Sequence, residues 1–258
     1  MNAAAATLRQ AGFENRTFWR NPAAAFFTFV FPLMFLVIFN LIFGDEDVEL
    51  ARGLTVTGSQ FYVPAIAAFS VITACYTNVA MTVATSRDLG ILKRVRGTPL
   101  APSSYLVARV IQAAFIALLL VAVVTAAGAL LYGVDLQTGK LPALALTILV
   151  GAASFAALGL AITAAIPNAG AAPAVVNASI FPLLFISDIF IPLENAPGWV
   201  LSVAKVFPIW HYSNAMQTAF NPAIEGAGFE WGDLAIVAAW GAAGLLLAIR
   251  FFSWEPRR

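Results

Sequence analysis

The chain has 258 residues, 61% of them hydrophobic and 10% charged, with a mean hydropathy of +0.86. A soluble domain carries about 25% charged residues. This chain therefore lacks the polar side chains to cover a water-facing surface, and lipid is its expected solvent. A net charge of +1 provides no field for nucleic acid, and the single cysteine, Cys75, allows no internal disulfide.

In chain order, Asn2–Arg20 comes first. Leu8, Ala11, Phe18 and Trp19 can share a helical face, with Arg9, Arg16 and Arg20 nearby, which suits a helix lying in the headgroup layer. A disordered tail is the alternative left open. No signal peptide is expected, because the apolar run starting near Ala23 is too long for a signal core and ends in acidic residues.

A span needs about 20 apolar residues, ~30 Å of hydrocarbon at 1.5 Å per residue. Six stretches qualify: Ala23–Phe43, Phe61–Thr85, Val110–Tyr132, Pro142–Ile166, Ala171–Leu193 and Leu234–Phe252. The first four carry no charge, the fifth contains Asp188, and the sixth has Arg250 near its end. Runs apolar on all sides are helices rather than the alternating strands of a barrel. The expected fold is one all-α polytopic membrane domain over residues 1–258.

Basic residues set its expected orientation. Arg9, Arg16 and Arg20 precede the first span. Arg87, Lys93, Arg94, Arg96 and Arg109 lie between the second and third, and Arg250, Arg257 and Arg258 at the C-terminus. That puts eleven of the fourteen cations on one side, with Arg52, Lys140 and Lys205 opposite, beside the acidic Asp45–Glu49 loop. An even number of spans with both termini cytoplasmic satisfies this pattern. Pro167–Gly170 is a tight turn between spans four and five. The outer segment Glu194–Trp231 is long enough to need structure of its own. Val200, Val203 and Phe207 fall at helical spacing, Pro208 interrupts, and Ile209, Tyr212, Met216 and Phe220 resume, which predicts two short re-entrant helices.

The loop Ser86–Ser104 carries the most informative run, Arg87-Asp88-Leu89-Gly90-Ile91-Leu92-Lys93-Arg94-Val95-Arg96-Gly97-Thr98-Pro99-Leu100. Leu89, Leu92 and Val95 fall on one face, and Gly97 with Pro99 ends the element. Physics alone leaves two readings open: a basic anchor on anionic lipid, or a docking element. The run resembles the cytoplasmic coupling segment of type-2 ATP-binding-cassette exporter permeases, in which an acidic residue, Gly, Leu, a basic cluster and Thr-Pro follow the second span. Asp88 stands where that family more often has Glu. Arg20-Asn21-Pro22 is similar to the family's entry to the first span. Asp188–Leu193, Phe207-Pro208-Ile209 and Phe220-Asn221-Pro222 are similar to its fifth span and outer helices. In style the chain is nearest the daunorubicin-type drug and lipid exporters of high-GC bacteria.

The resemblance implies a permease subunit in a bacterial cytoplasmic membrane, paired with a second permease chain, the same or homologous, and driven by separate ATPase subunits. Arg87, Asp88, Leu89, Gly90, Leu92, Lys93, Arg94 and Arg96 would transmit the ATPase motion. No cofactor is expected on this chain, and ATP and Mg would sit on the partner. Gly139-Lys140-Leu141 lacks the Gly-x-x-x-x-Gly-Lys-Ser/Thr spacing that cradles phosphates.

Four span residues are candidates for a substrate pathway. Asn78 and Asn177 are polar within spans, where interhelical hydrogen bonding is the plainer account. Pro182 suggests a bent fifth helix. Asp188 lies near that helix's outer end, where a gate and a simple interface position compete. No catalytic or metal-binding set is expected, since His211 is the only histidine and has no cysteine nearby. The alternatives are an ion-coupled carrier, which usually places ionisable residues at mid-membrane, and an intramembrane enzyme, which would need clustered carboxylates or a Ser–His pair.

Overall fold

The computed structural model describes residues 3–50, 54–98, 100–193, 196–222 and 224–255. Arg52, Pro99, Glu194, Arg257 and Arg258, all invoked above, lie outside the described residues. Helix α1 (Ala3–Trp19) leads through Arg20 and Asn21 into α2 (Pro22–Phe43). Pro22 opens α2, where a missing N–H costs nothing, and the Asn21 side chain accepts the Ala24 N–H.

A short antiparallel ladder follows, β1 (Asp47–Glu49) paired with β2 (Thr55–Thr57). The reading of Asp45–Glu49 as a solvated loop missed it. Val48 and Val56 point inward while their neighbours stay exposed, the period-two pattern of a half-buried strand.

The next span is one 31-residue rod, Gly58–Asp88. It consists of α3 (Gly58–Ile72), a π-helical turn at Thr73–Thr77, and α4 (Asn78–Asp88). In the π turn the Asn78 N–H donates to the Thr73 carbonyl, five residues back. Then come α5 (Ile91–Arg96), α6 (Pro102–Tyr132) and α7 (Leu141–Ile162). After these lie α8 (Ala172–Phe185), α9 (Gly198–Ala204), α10 (Pro208–Phe220) and α11 (Trp231–Phe251).

Five stretches are long and apolar enough to cross a membrane: Pro22–Phe43, Gly58–Asp88, Ser103–Tyr132, Thr138–Ile162 and Trp231–Phe251. Ala169–Phe185 is a shorter apolar helix. The chain is an all-α polytopic membrane protein. The expected fifth span, Ala171–Leu193, stops at Phe185. Asp188 is not in a helix: it adopts φ +53, a left-handed conformation that Asp tolerates better than most residues. Its carboxylate accepts the Leu193 N–H at 2.6 Å and the Trp210 indole N–H at 2.9 Å, and Ser213 donates to its carbonyl at 2.9 Å. Side-chain bonding of this kind competes with helix continuation.

Helix α10 is buried almost throughout and packs on α3, α7 and α11. The Gln217 amide donates to the Phe61 carbonyl at 2.9 Å, near the break that Pro64 makes in the α3 ladder. Helices α7 and α11 make the most extensive helix–helix contact, with Gly241 against Ser154 and Gly244 against Leu158, the small-residue approach common between spans. Gly159 of α7 sits against the π turn. A Cβ there would come within 2.7 Å of the Tyr76 carbonyl oxygen, so only glycine lets the two backbones close.

Candidate functional site

Helix α4 ends at Asp88, and Gly90 then takes φ +70, reversing the chain into α5. Only glycine does so without steric cost. This break overturns the single-face reading of the run. Leu92 is fully buried and Val95 partly so, but Leu89 is 64% exposed because it precedes the reversal rather than sharing a helix with Leu92. Leu89, Ile91, Lys93, Arg94 and Arg96 all project outward. Among the described residues the three cations make no ion pair.

Arg87 and Asp88 turn the other way. Arg87 is 1% exposed, and its guanidinium donates to the carbonyls of Thr163, at 2.9 Å, and Ile166. Those carbonyls lie where α7 has ended and the Pro167–Gly170 turn begins. Asp88 accepts the Ala169 N–H at 2.5 Å, and Asn168 accepts that of Ala171 at 2.9 Å. A carboxylate and a carboxamide thus cap the start of the Ala169–Phe185 helix, where unpaired N–H groups and the helix dipole favour negative charge. The outward face of α5 is therefore mounted on a rigid base that grips both α7 and α8.

Helix α1 joins the same end through α6. Arg109 forms a 3.0 Å ion pair with the buried Glu14, which also accepts from Gln10 at 2.7 Å, while the Tyr105 hydroxyl accepts from the Arg109 guanidinium. Along this face of α1, Ala11 and Phe18 turn inward, while Leu8 and Trp19 at its edge are exposed.

Above this base, α8 packs chiefly on α4. A cleft of about 380 Å³ opens between α2, the π turn with α4, and α8. Asn78 and Asn177 both line it, with Thr77, Phe31, Phe69 and Phe181. No charged residue lines it. Asn78 accepts from Thr82 at 2.9 Å through its amide oxygen, leaving its NH₂ unspent, and no described residue bonds the Asn177 carboxamide. Pro182 is exposed on α8 and lines neither this cleft nor its neighbour, and Asp188 is committed to the turn beyond Phe185.

On the far side of α8 the Tyr76 hydroxyl meets Ser179 Oγ at 2.6 Å. Ser179 spends its own proton on the Val176 carbonyl, at 2.7 Å, so Tyr76 is the donor. Neither residue was singled out in the sequence, where a tyrosine and a serine within apolar runs carry no distinguishing pattern.

A family model described as "ABC-2 type transporter" matches residues 11–221. The chain belongs to that family. It is also similar to the transport permease ycf38 of Porphyra purpurea, with 24% identity over 227 residues, covering 84% of this chain and 76% of the relative. An ABC-2 permease is a membrane transport subunit, and ATP hydrolysis lies on a separate partner. The α4–α5 junction and both clefts of this permease draw almost all their residues from the matched region, the exceptions coming from α11.

Proposed function

We propose that this permease carries an uncharged, hydrophobic or amphipathic molecule (drug, lipid or glycolipid) out of the cytoplasm or inner leaflet of a bacterial cytoplasmic membrane. It works as a pair with a second copy or a homologous chain, and separate ATPase subunits holding ATP and Mg dock on α5. The observation that carries this reading is the α4–α5 junction: an outward apolar and cationic face built on an inward Arg87–Asp88 base that holds both α7 and α8. A push on α5 reaches α8 directly, and α8 walls the Asn78–Asn177 cleft. The cleft supports the cargo class, because its amides can hydrogen-bond a neutral polar group while nothing in it balances a charge.

The test is co-purification with a candidate ATPase subunit. Reversing Lys93, Arg94 and Arg96 to Glu, with Leu89→Ser, should cut retained ATPase at least tenfold, about 1.4 kcal/mol. These side chains are exposed, so the permease itself should fold normally. Assembly that stays tight in that variant would falsify α5 as the docking element. Asn177→Leu should leave assembly intact and change cargo transport.

A further inference from the structure

We propose that the cleft on the opposite side of α8, between α8 and the α7–α11 pair, binds one acyl chain of an anionic phospholipid whose phosphate is held at Arg250. This cleft measures about 500 Å³, with Leu158, Leu183, Leu247 and Phe251 among its lining and Trp240 and Phe207 on one wall. Its polarity separates it from the cargo cleft. Tyr76 donates to Ser179, Ser179 donates to Val176, and the Trp240 indole N–H donates to the Val206 carbonyl at 3.0 Å. No polar side chain in it has a proton to offer. A water there could only donate, to the Tyr76 or Ser179 oxygen, and would find too few partners to be well bound. Hydrocarbon fills such a space without needing a hydrogen bond, and two of its walls, α7 and α11, are long and apolar enough to cross a membrane, which puts lipid tails within reach.

The headgroup is assigned by charge. Phe251 and Leu247 line the cleft towards the end of α11, and the exposed Arg250 guanidinium lies 5.8 Å from the centre of the Phe251 ring. A cation at that position complements a lipid phosphate. Because α8 packs chiefly on α4, the chain would act as a wedge that fixes how far α8 stands from α7 and α11.

The test uses the full chain in phosphatidylcholine vesicles, without any ATPase, so it stands whichever way docking on α5 turns out. Tryptophan fluorescence is read as increasing fractions of brominated phosphatidylglycerol or brominated phosphatidylcholine are added, since bromine quenches an indole on contact. There are six tryptophans, so the Trp240 contribution is the wild-type signal minus that of Trp240→Phe. Half-quenching of that contribution should need about fivefold less brominated phosphatidylglycerol than phosphatidylcholine. Arg250→Gln should abolish that preference, and Ala161→Phe, which fills the cleft, should weaken quenching by both lipids. No quenching at any fraction would mean that protein or cargo covers the cleft. Equal half-quenching by the two lipids would mean wetting by tails with no site. Either result overturns the proposal, and the wild-type comparison decides it even if a variant fails to fold.

Discussion

At position 151 the lack of a side chain decides how α10 enters the bundle. A Cβ there would stand 2.2 Å from the Tyr212 ring, and Tyr212 is fully buried against Phe155. Gly151→Ala should therefore lower stability by about 1–3 kcal/mol, the usual cost of overpacking. Thermal melting of the detergent-solubilised protein measures it. Tyr212→Leu should recover part of the loss in the double variant, because both changes address one contact. Asp88 works at the same scale through a single hydrogen bond. Asp88→Ala removes the acceptor for the Ala169 N–H and should speed hydrogen exchange there about fivefold, the equivalent of ~1 kcal/mol for a lost cap. Asp88→Asn keeps an acceptor and should lose less. The sequence marked Asp88 as important but not its direction. Nothing in a linear run says that Gly90 will take a left-handed conformation and leave Asp88 facing inward while Leu89 faces out.

Among the elements, α8 is a helix held by few ties. It is capped from α4 at its start, hydrogen-bonded once to Tyr76 midway, and flanked by clefts on both sides. Hydrogen bonds between spans average about 0.6 kcal/mol in measured cycles. Tyr76→Phe and Ser179→Ala should each loosen α8 by that order, and the double variant by no more than either alone. The reporter is the labelling rate of a cysteine at position 183 in a Cys75→Ser background. Additive effects would show that the two hydroxyls act separately. The long spans were legible because uninterrupted apolar runs of more than twenty residues have one solution in a bilayer. The end of α8 was not, because Ile186–Leu193 is as apolar as what precedes it. The bonds from Asp188 to Leu193, Trp210 and Ser213 hold the turn that follows the helix, and two of those partners lie on α10, far along the chain.

For the molecule as a whole, two of the three cationic stations read from the sequence, the N-terminal helix and the middle loop, are tied at one end of the bundle by the Glu14–Arg109 pair, while Arg87 anchors the middle station to the end of α7. Cysteines placed at positions 94 and 46 in the Cys75→Ser background should react with a membrane-impermeant maleimide from opposite faces of sealed vesicles, position 94 from the cytoplasmic face. Labelling of both from one face would refute the orientation. The fold class and family pattern could be read from the chain because they rest on hydropathy and a contiguous motif. The two clefts could not, because each is assembled from residues about a hundred positions apart.

The widened turn at Thr73–Thr77 sets the angular phase of everything that follows it. Each residue of a regular helix advances the side chains by about 100°. Were the rod to relax to uniform α-helical pitch with its residue count unchanged, Asn78, Arg87 and Asp88 would swing together by about that angle. The cleft would lose its amide and the ends of α7 and α8 would lose their clasp in one step. The proposed cargo wall and the proposed docking base are thus kept in register by one extra residue in a single turn.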